Sequence, residues 1–299
     1  MERKRKYRRL IKYAGLILLC CIVLWAAAML YNNVSMQNNK AFSASLDKSI
    51  SEAAAWISER ESAILNTPNV ALLKMLDECD KMHPTPEFSG MVKKFMLKGA
   101  RPKCWKALID PNWPVDKIEL NETIKREYID NKWILYALSP QQADVTPEQL
   151  GLFNYDAWNG RQLTHQLWGL IRLREQAADK TKLDKLIEHL CRRLTNELYF
   201  NAAVVDIYIQ KNAFVLRAGY PQKIHRRWIE RVIENQRSDG GWNDKWFIFT
   251  SSRKPTLEQM QSDPHATIQA IWLLYQAKYK YPEYFGLADR KNSSSTKLK

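Results

Sequence analysis

The longest run of apolar positions lies near the start of the chain, from Ala14 to Leu30, and contains no charged residue. A helix needs roughly 17 to 25 apolar residues to cross a bilayer. Residues 1–12 carry seven Lys or Arg, and such an excess favours the cytoplasmic side. We therefore predict a basic cytoplasmic segment at 1–13 and a membrane-spanning helix at 14–31. The bulk of the chain then lies outside the cytoplasm, in a periplasmic, extracellular or lumenal space.

The same run also suits the apolar region of a cleaved signal peptide, with Ala26-Ala27-Ala28 as the cleavage site. Against this, the run stays apolar through Tyr31, beyond that site. Tyr13 and Tyr31 also lie where interfacial aromatic residues flank a spanning helix. These features favour an anchor in the lipid bilayer. A buried core helix is the third interpretation of the run.

A second apolar pattern follows a short polar linker, within residues 32–66. Its apolar residues recur at steps of three, four and seven, which predicts one long amphipathic helix. They are Phe42, Leu46, Ile50, Ala53, Ile57 and Ile64. This face either packs against the chain's own domain or stays exposed as the docking surface of a structural subunit in a membrane complex.

Residues 67–286 alternate helical spacing with helix start and stop signals, and we predict an all-α domain there. Thr67-Pro68, Thr85-Pro86 and Asp263-Pro264 each have a capping residue followed by Pro, which is typical of a helix start. Short loops between helices predict antiparallel neighbours. Residues 287–299 are polar, basic and rich in Ser, which predicts a disordered tail.

Two stretches of this domain are less regular. Residues 118–138 keep helical spacing throughout and predict one helix that ends before Pro140. Residues 203–218 include the strand-like sequence VVDIYIQ, but Gly219 is a typical helix stop and the neighbouring segments are helical. We predict a helix there as well.

Composition narrows the function classes only slightly. The formal net charge of the 299 residues is +14, and the basic N-terminal segment accounts for part of it. No nucleic-acid-binding motif occurs, and the absence of CxxC and HExxH gives no support for a metal site. We predict neither a nucleic-acid partner nor a metal or cofactor. Cys79, Cys104 and Cys191 lie beyond the apolar run: two of them can pair in an oxidising compartment, or all three can be buried thiols.

The most specific motif is Gln236-Arg237-Ser238-Asp239-Gly240-Gly241-Trp242, between two predicted helices. A Gln at a helix end can hydrogen-bond to backbone, the glycines permit positive φ in a tight turn, and the Trp can pack on adjoining helices. The motif resembles the Q-x-x-D-G-x-W signature of α/α-toroid proteins, which include terpene cyclases and protein prenyltransferases; glycan-processing α/α barrels have comparable loops. In those folds it mainly clamps one repeat to the next.

The resemblance implies an incomplete α/α toroid of antiparallel helical hairpins, and it covers roughly residues 150–285. An internal echo agrees, since Thr164-His165-Gln166-Leu167 and Thr267-Ile268-Gln269-Ala270 share the pattern T-x-Q-apolar. The acidic D-x-D-D and D-D-x-x-D motifs of terpene enzymes are absent, so terpene and prenyl chemistry are not carried over.

In an α/α toroid the starts of the inner helices line one mouth of the barrel. There the resemblance places the candidate ligand-binding residues Tyr155, Trp158, Arg161, His165, Trp242, Trp246 and His265, and the candidate catalytic residues Asp156, Asp239 and Asp263. Paired carboxylates beside aromatic rings suit glycans, because one acid can give a proton and another can activate water. Structural roles compete: Asp263 as a helix cap, Asp239 as a turn residue, and the His and Trp side chains as packing groups.

Three functions remain open from the sequence. The leading hypothesis is a membrane-anchored module whose concave mouth binds a glycan, a lipid-linked glycan or a partner protein. The alternative is a glycan-cleaving hydrolase or lyase that works through Asp156 with Asp239 or Asp263. The third is the structural subunit that docks through the amphipathic helix within 32–66.

Overall fold

The computed structural model describes residues 2–67, 69–98, 102–154, 160–201, 203–243 and 262–288. Within these ranges the chain is helical and contains no strand, which confirms the all-α prediction. The predicted tail at 287–299 lies outside the described residues from 289 onward.

The described ranges contain twelve α-helices. They are α1 (Glu2–Asn33), α2 (Asn39–Glu59), α3 (Glu61–Asn66), α4 (Val70–Met82), α5 (Pro86–Leu97), α6 (Lys117–Arg126), α7 (Ile129–Leu138), α8 (Gly160–Gln176), α9 (Thr181–Phe200), α10 (Asp206–Arg217), α11 (Arg226–Glu234) and α12 (Pro264–Tyr275). A π-helical turn, Gln276–Lys280, continues α12, and short 3₁₀ turns include Lys103–Leu108.

The N-terminal helix α1 contains the predicted span. Its segment Tyr13–Asn33 has a mean hydropathy of 2.4 over its most apolar window, and none of that window is buried by the rest of the chain. Length and hydropathy therefore meet the requirement for crossing a bilayer, and a signal sequence meets the same requirement.

Helices α7 and α8 lie side by side and run in the same direction. Near their starts, Arg161 Nε lies 2.9 Å from Asp130 Oδ2. Near their ends, Gln176 Nε2 donates to the Ala137 carbonyl at 2.7 Å. Because the order of contacts is the same along both helices, their N-terminal ends lie at the same level.

The same direction holds from α8 through α10 and α12 to α4. Each successive pair of helices has one contact nearer the starts and one nearer the ends of both helices. For α8 and α10 these are Thr164–Gln210 and Arg174–Ala218. For α10 and α12 they are Asp206–His265 and Ala213–Gln276, and for α12 and α4 they are Glu78–Trp272 and Thr85–Tyr275. The turn Lys103–Leu108 contacts both α4 and α7, so the contacts return to their starting point. We call α4, α7, α8, α10 and α12 the inner helices.

The remaining helices pack around this set. Helix α5 contacts α4, α6 contacts α7, α9 contacts α8 and α10, and α2 contacts α12 and α11. Helix α2 runs opposite to α12. Asp47 in its first half pairs with Lys278, which follows α12, whereas Trp56 near its end donates to Asp239, which also accepts from Ser262 just before α12.

The amphipathic face predicted at 42–64 belongs to the core. Phe42, Leu46 and Ile57 are each 0% exposed, and Ile64 is also buried. The face therefore packs against the chain's own domain, mainly on α12 and α11, and the alternative of a free docking surface is excluded. The segment is also two helices, α2 and α3, which meet at Arg60.

Two further boundaries differ from the prediction, and one uncertain segment is confirmed. The stretch 118–138 is interrupted at Glu127-Tyr128, where Tyr128 adopts an extended conformation with φ −66° and ψ 153°. Helix α4 is capped by Asn69, whose side chain accepts from the Ala71 N–H, rather than by Thr67. The strand-like segment 203–218 is helical, as α10.

The motif at 236–242 contacts three helices. Gln236 Nε2 donates to the Ser49 carbonyl of α2 at 3.0 Å, and Ser49 Oγ donates back to the amide oxygen at 2.6 Å. The Trp242 indole donates to the Val232 carbonyl of α11 at 2.7 Å. Its backbone N–H donates to Thr267 Oγ1 of α12 at 2.9 Å.

The cysteines beyond α1 are thiols in this structure. Cys79, Cys104 and Cys191 are buried and unpaired. Burial raises the pKa of Cys104 to about 11 and that of Cys191 to about 12. Of the two alternatives, the structure has the three buried thiols, which behave as small apolar side chains.

We predict that Gly240→Ala destabilises the domain by about 3–5 kcal/mol. Gly240 has φ +90°, and an added Cβ would lie 2.6 Å from the Glu52 carbonyl of α2. Gly219→Ala is the matched control, because Gly219 has φ +96° but nothing within 4 Å of its Cβ position. The control retains only the backbone strain of about 1–3 kcal/mol. Thermal or chemical unfolding of the full chain in detergent measures both; equal losses would contradict the close approach to α2.

Candidate functional site

A cleft of about 590 Å³ opens at the N-terminal ends of the inner helices. Residues from the starts of α4, α7, α8, α10 and α12 line it. They include Asn69, Glu127, Tyr128, Asn131, Arg161, His165, Asp206, Gln210 and His265, together with Trp105 from the 3₁₀ turn. Parallel inner helices explain this convergence, because parallel packing brings helix starts to one end.

Arg161 and Asp130 form the ion pair at one side of the cleft. The Asp130 side chain is buried whereas the Arg161 side chain is 67% exposed. The guanidinium thus neutralises a buried carboxylate while part of it faces solvent. As a result, Arg161 adds less net positive charge to the cleft than a lone arginine would.

His165 contributes a neutral imidazole. Its Nδ1 lies 2.9 Å from the Arg161 carbonyl one turn earlier, so Nδ1 carries the proton and donates it. Burial lowers the pKa of His165, against the raising effect of that backbone hydrogen bond. The unprotonated Nε2 can therefore accept a hydrogen bond or a proton at neutral pH.

His265 is fixed on the opposite side by two partners. Its Nδ1 lies 3.5 Å from Asp206 Oδ2, and its Nε2 lies 3.0 Å from the Gln269 amide nitrogen. The ring thus lies between a carboxylate and an amide. Asp206 and His265 come from the first turns of α10 and α12, so the pair also joins those two helices.

The break between α6 and α7 contributes an exposed ring and a carboxylate. Tyr128 is 79% exposed, and Glu127 Oε2 accepts from Asn131 Nδ2 at 2.8 Å. The cleft therefore combines amides, carboxylates, imidazoles and an aromatic face, with hydrogen-bond donors and acceptors mixed along its wall.

Three of the predicted site residues meet in this cleft: Arg161, His165 and His265. Tyr155, Asp156, Trp158 and Trp246 lie outside the described residues.

The other predicted residues have structural contacts. Trp242 is 1% exposed, and its indole donates to the Val232 carbonyl within the contacts of the motif at 236–242. Asp263 caps α12 and accepts from the Ala266 N–H at 3.0 Å.

Asp239 is held in its turn by three donors. They are Ser262 Oγ at 2.6 Å, the Gly241 N–H at 3.1 Å and the Trp56 indole at 3.2 Å. Burial alone would raise the pKa of Asp239, but these hydrogen bonds hold it below its ordinary value. A carboxylate stabilised in its charged form is a poor proton donor at neutral pH, so we do not include Asp239 in the site.

Sequence reasoning missed Glu127, Tyr128, Asp206 and Gln210. Glu127 and Tyr128 lie inside a stretch whose spacing predicts an unbroken helix, with neither Gly nor Pro at the break. Asp206 and Gln210 lie in the segment with mixed strand and helix character. Their one available signal was the helix start at Asp206, since acidic residues favour the first turn.

The described residues contain no group of three or more His, Cys, Asp or Glu side chains that could hold a metal ion. Comparison with known proteins returns no match: no family description, characterised protein or solved structure is similar to this chain. The function is therefore inferred from the cleft itself.

We predict that His165 titrates below pH 6.5, because burial disfavours its charged form. Proton NMR of the imidazole signals against pH gives the midpoint, and a His165→Asn variant assigns the signal. A midpoint at or above 6.5 would contradict the buried, neutral ring.

Proposed function

We propose that this chain is a membrane-anchored protein whose helical domain binds a saccharide in the cleft between Arg161, His165, Asp206 and His265. In this proposal α1 is the anchor, its basic end is cytoplasmic and the domain lies on the other side of the membrane. The observation that carries the proposal is the convergence of five helix starts on one open cleft with mixed polar lining.

The domain architecture in this proposal is an incomplete α/α toroid. The parallel inner helices, each covered by an outer neighbour, support it, and so does the clamp at 236–242. The T-x-Q echo adds support, because Thr164 and Thr267 are both fully buried near the starts of parallel helices. These similarities concern architecture, and they carry no chemistry from other toroids.

The lining chemistry favours a polyhydroxylated ligand over a polyanion. Asp130 pairs with Arg161, and Glu127 and Asp206 add negative charge to the wall. Carboxylates accept hydrogen bonds from hydroxyl groups, and side-chain amides both accept from them and donate to them. The exposed ring of Tyr128 offers a face for the apolar side of a sugar. The volume lies within the roughly 300–1,000 Å³ typical of ligand pockets.

We expect Tyr128→Ala to weaken saccharide binding about tenfold, equivalent to about 1.4 kcal/mol, because it removes the stacking face. The melting temperature should not change, since the ring is mostly exposed. Binding of the full chain in nanodiscs to an oligosaccharide array, followed by titration with the best ligand, measures the effect. Tyr284→Ala is the control, an aromatic residue with 52% exposure that does not line the cleft. Equal losses for both variants, or no saccharide binding at all, would refute the proposal.

Glycan cleavage is the second candidate, because Glu127 in the break between α6 and α7 and Asp206 at the start of α10 place two carboxylates in the same cleft. An acid–base pair of this type can protonate a leaving oxygen and activate water. If the cleft is catalytic, Glu127→Gln and Asp206→Asn should each abolish release of reducing ends from the bound oligosaccharide while binding persists. Wild-type protein that binds the oligosaccharide but leaves it intact would leave binding as the function.

A further inference from the structure

The last turn of α1 is fixed to the domain by polar contacts rather than joined through a free linker. Arg227 Nε donates to the Tyr31 carbonyl at 2.9 Å, and its guanidinium lies 4.6 Å from the centre of the Tyr31 ring. The Trp228 indole donates to Asn33 Oδ1 at 2.9 Å. Both donors belong to α11, and both are almost completely buried.

The residues just after α1 are held by the same helix. Glu230 is 0% exposed and accepts from Ser35 Oγ and from the Met36 N–H. Arg226 donates to Ser35 Oγ, to the Gln37 carbonyl and to Glu230. Buried charges paired in this way permit little rotation, because any movement of the segment would leave a charge without its partner. The position of α1 relative to the domain is therefore fixed.

Two exposed aromatic side chains lie beside this junction, at the end of α9. The Tyr199 carbonyl accepts from Asn33 Nδ2 at 3.1 Å, so the end of α9 is in direct contact with the end of the span. Phe200 is 60% exposed and Tyr199 is 41% exposed, and their rings meet edge to face at 5.4 Å. We call Tyr199 and Phe200 the aromatic pair.

We propose that the aromatic pair is a second contact with the lipid bilayer, inserted at the headgroup level next to α1. This inference rests on the proposed membrane anchor. The span ends at Asn33, so groups that touch Asn33 lie at the membrane–water interface. Tyr, in particular, is enriched at that level because the ring is apolar and the hydroxyl is polar. The apolar surface of α1 is exposed up to its last turn, including Leu30 at 62%, and α1 contacts α9, which carries the pair.

The bilayer is the occupant that the geometry favours over a separate protein. A partner protein would have to bind next to Asn33, at the end of an apolar helix that the rest of the chain leaves unburied and that lipid surrounds once α1 is inserted. The fixed junction also prevents the domain from tilting freely away from the membrane. The pair therefore meets the interface whenever α1 is inserted.

The test uses an NBD probe on single introduced cysteines in a Cys20→Ser, Cys21→Ser background of the full chain. The remaining cysteines are buried thiols. The introduced sites are Phe200→Cys for the pair, Leu24→Cys for the span and Leu97→Cys as the exposed control on α5, where Leu97 is 87% exposed. Each labelled protein is placed in phosphatidylcholine nanodiscs with or without nitroxide-labelled lipid.

Nitroxide near the headgroup should quench the probe at Phe200 at least about threefold more than the probe at Leu97, because Phe200 follows Tyr199, whose carbonyl accepts from Asn33 at the end of the span. Nitroxide deep in the acyl chains should quench the probe at Leu24. Quenching at Leu24 without quenching at Phe200 would overturn the aromatic contact and leave the anchor intact. Absence of quenching at Leu24 would overturn the anchor and this inference with it.

Discussion

The ion pairs of the Arg217 guanidinium hold the C-terminal ends of the inner helices together. Arg217 ends α10, its Nε lies 3.0 Å from both oxygens of Glu78 on α4, and its Nη2 lies 2.6 Å from Glu175 on α8. The Trp272 indole of α12 donates to the same Glu78 carboxylate at 3.1 Å. One cation thus connects the C-terminal ends of four parallel helices. Parallel helices bring their partial negative ends together, and a buried positive charge between them offsets that repulsion. Burial opposes ionisation of Glu175, but Arg217 and Arg172 hold its pKa below the ordinary value.

The opposite end of the same helices has no equivalent closure among the described residues. There the partial positive ends of the helices converge. The negative charges that offset them at or just before helix starts are Asp206, Asp263 and Glu127. Charges and amides that compensate helix ends must remain hydrated or hydrogen-bonded, so this end stays polar and open rather than packed with apolar side chains. The cleft is therefore a consequence of parallel packing. Its use as a binding site requires only that a ligand replace water on groups that the fold already places there.

Sequence reasoning succeeded where one local signal decided the structure. The helix starts at Thr85-Pro86 and Asp263-Pro264, like the turn at Gly240, have strong local preferences, and tertiary packing agrees with them. It failed where packing decided against a local pattern. The spacing over 118–138 is helical throughout, yet the chain breaks at Tyr128. The cleft residues at that break therefore could not be predicted from the spacing. Asp239 and Asp263 were predicted as site residues instead, because a carboxylate in a cap or a turn cannot be distinguished by sequence from a catalytic one.

Helix α11 is a second place where packing decides against the local pattern, because a strongly charged sequence is buried there. Its sequence, RRWIERVIE, has enough charge to predict a solvated surface helix, yet Arg227, Glu230 and Arg231 are each at most 2% exposed. Burying three such charges is unfavourable unless each finds a partner of opposite sign or a polar backbone group. The end of α1 supplies the Tyr31 carbonyl to Arg227, and the segment that follows α1 supplies Ser35 and the Met36 N–H to Glu230. Arg231 instead donates to the Asn201 carbonyl. Two of the three buried charges on α11 thus have partners in or just after the last turn of α1. It follows that α1 and the domain are joined by buried polar contacts, and that the position of α1 relative to the cleft is set when the chain folds.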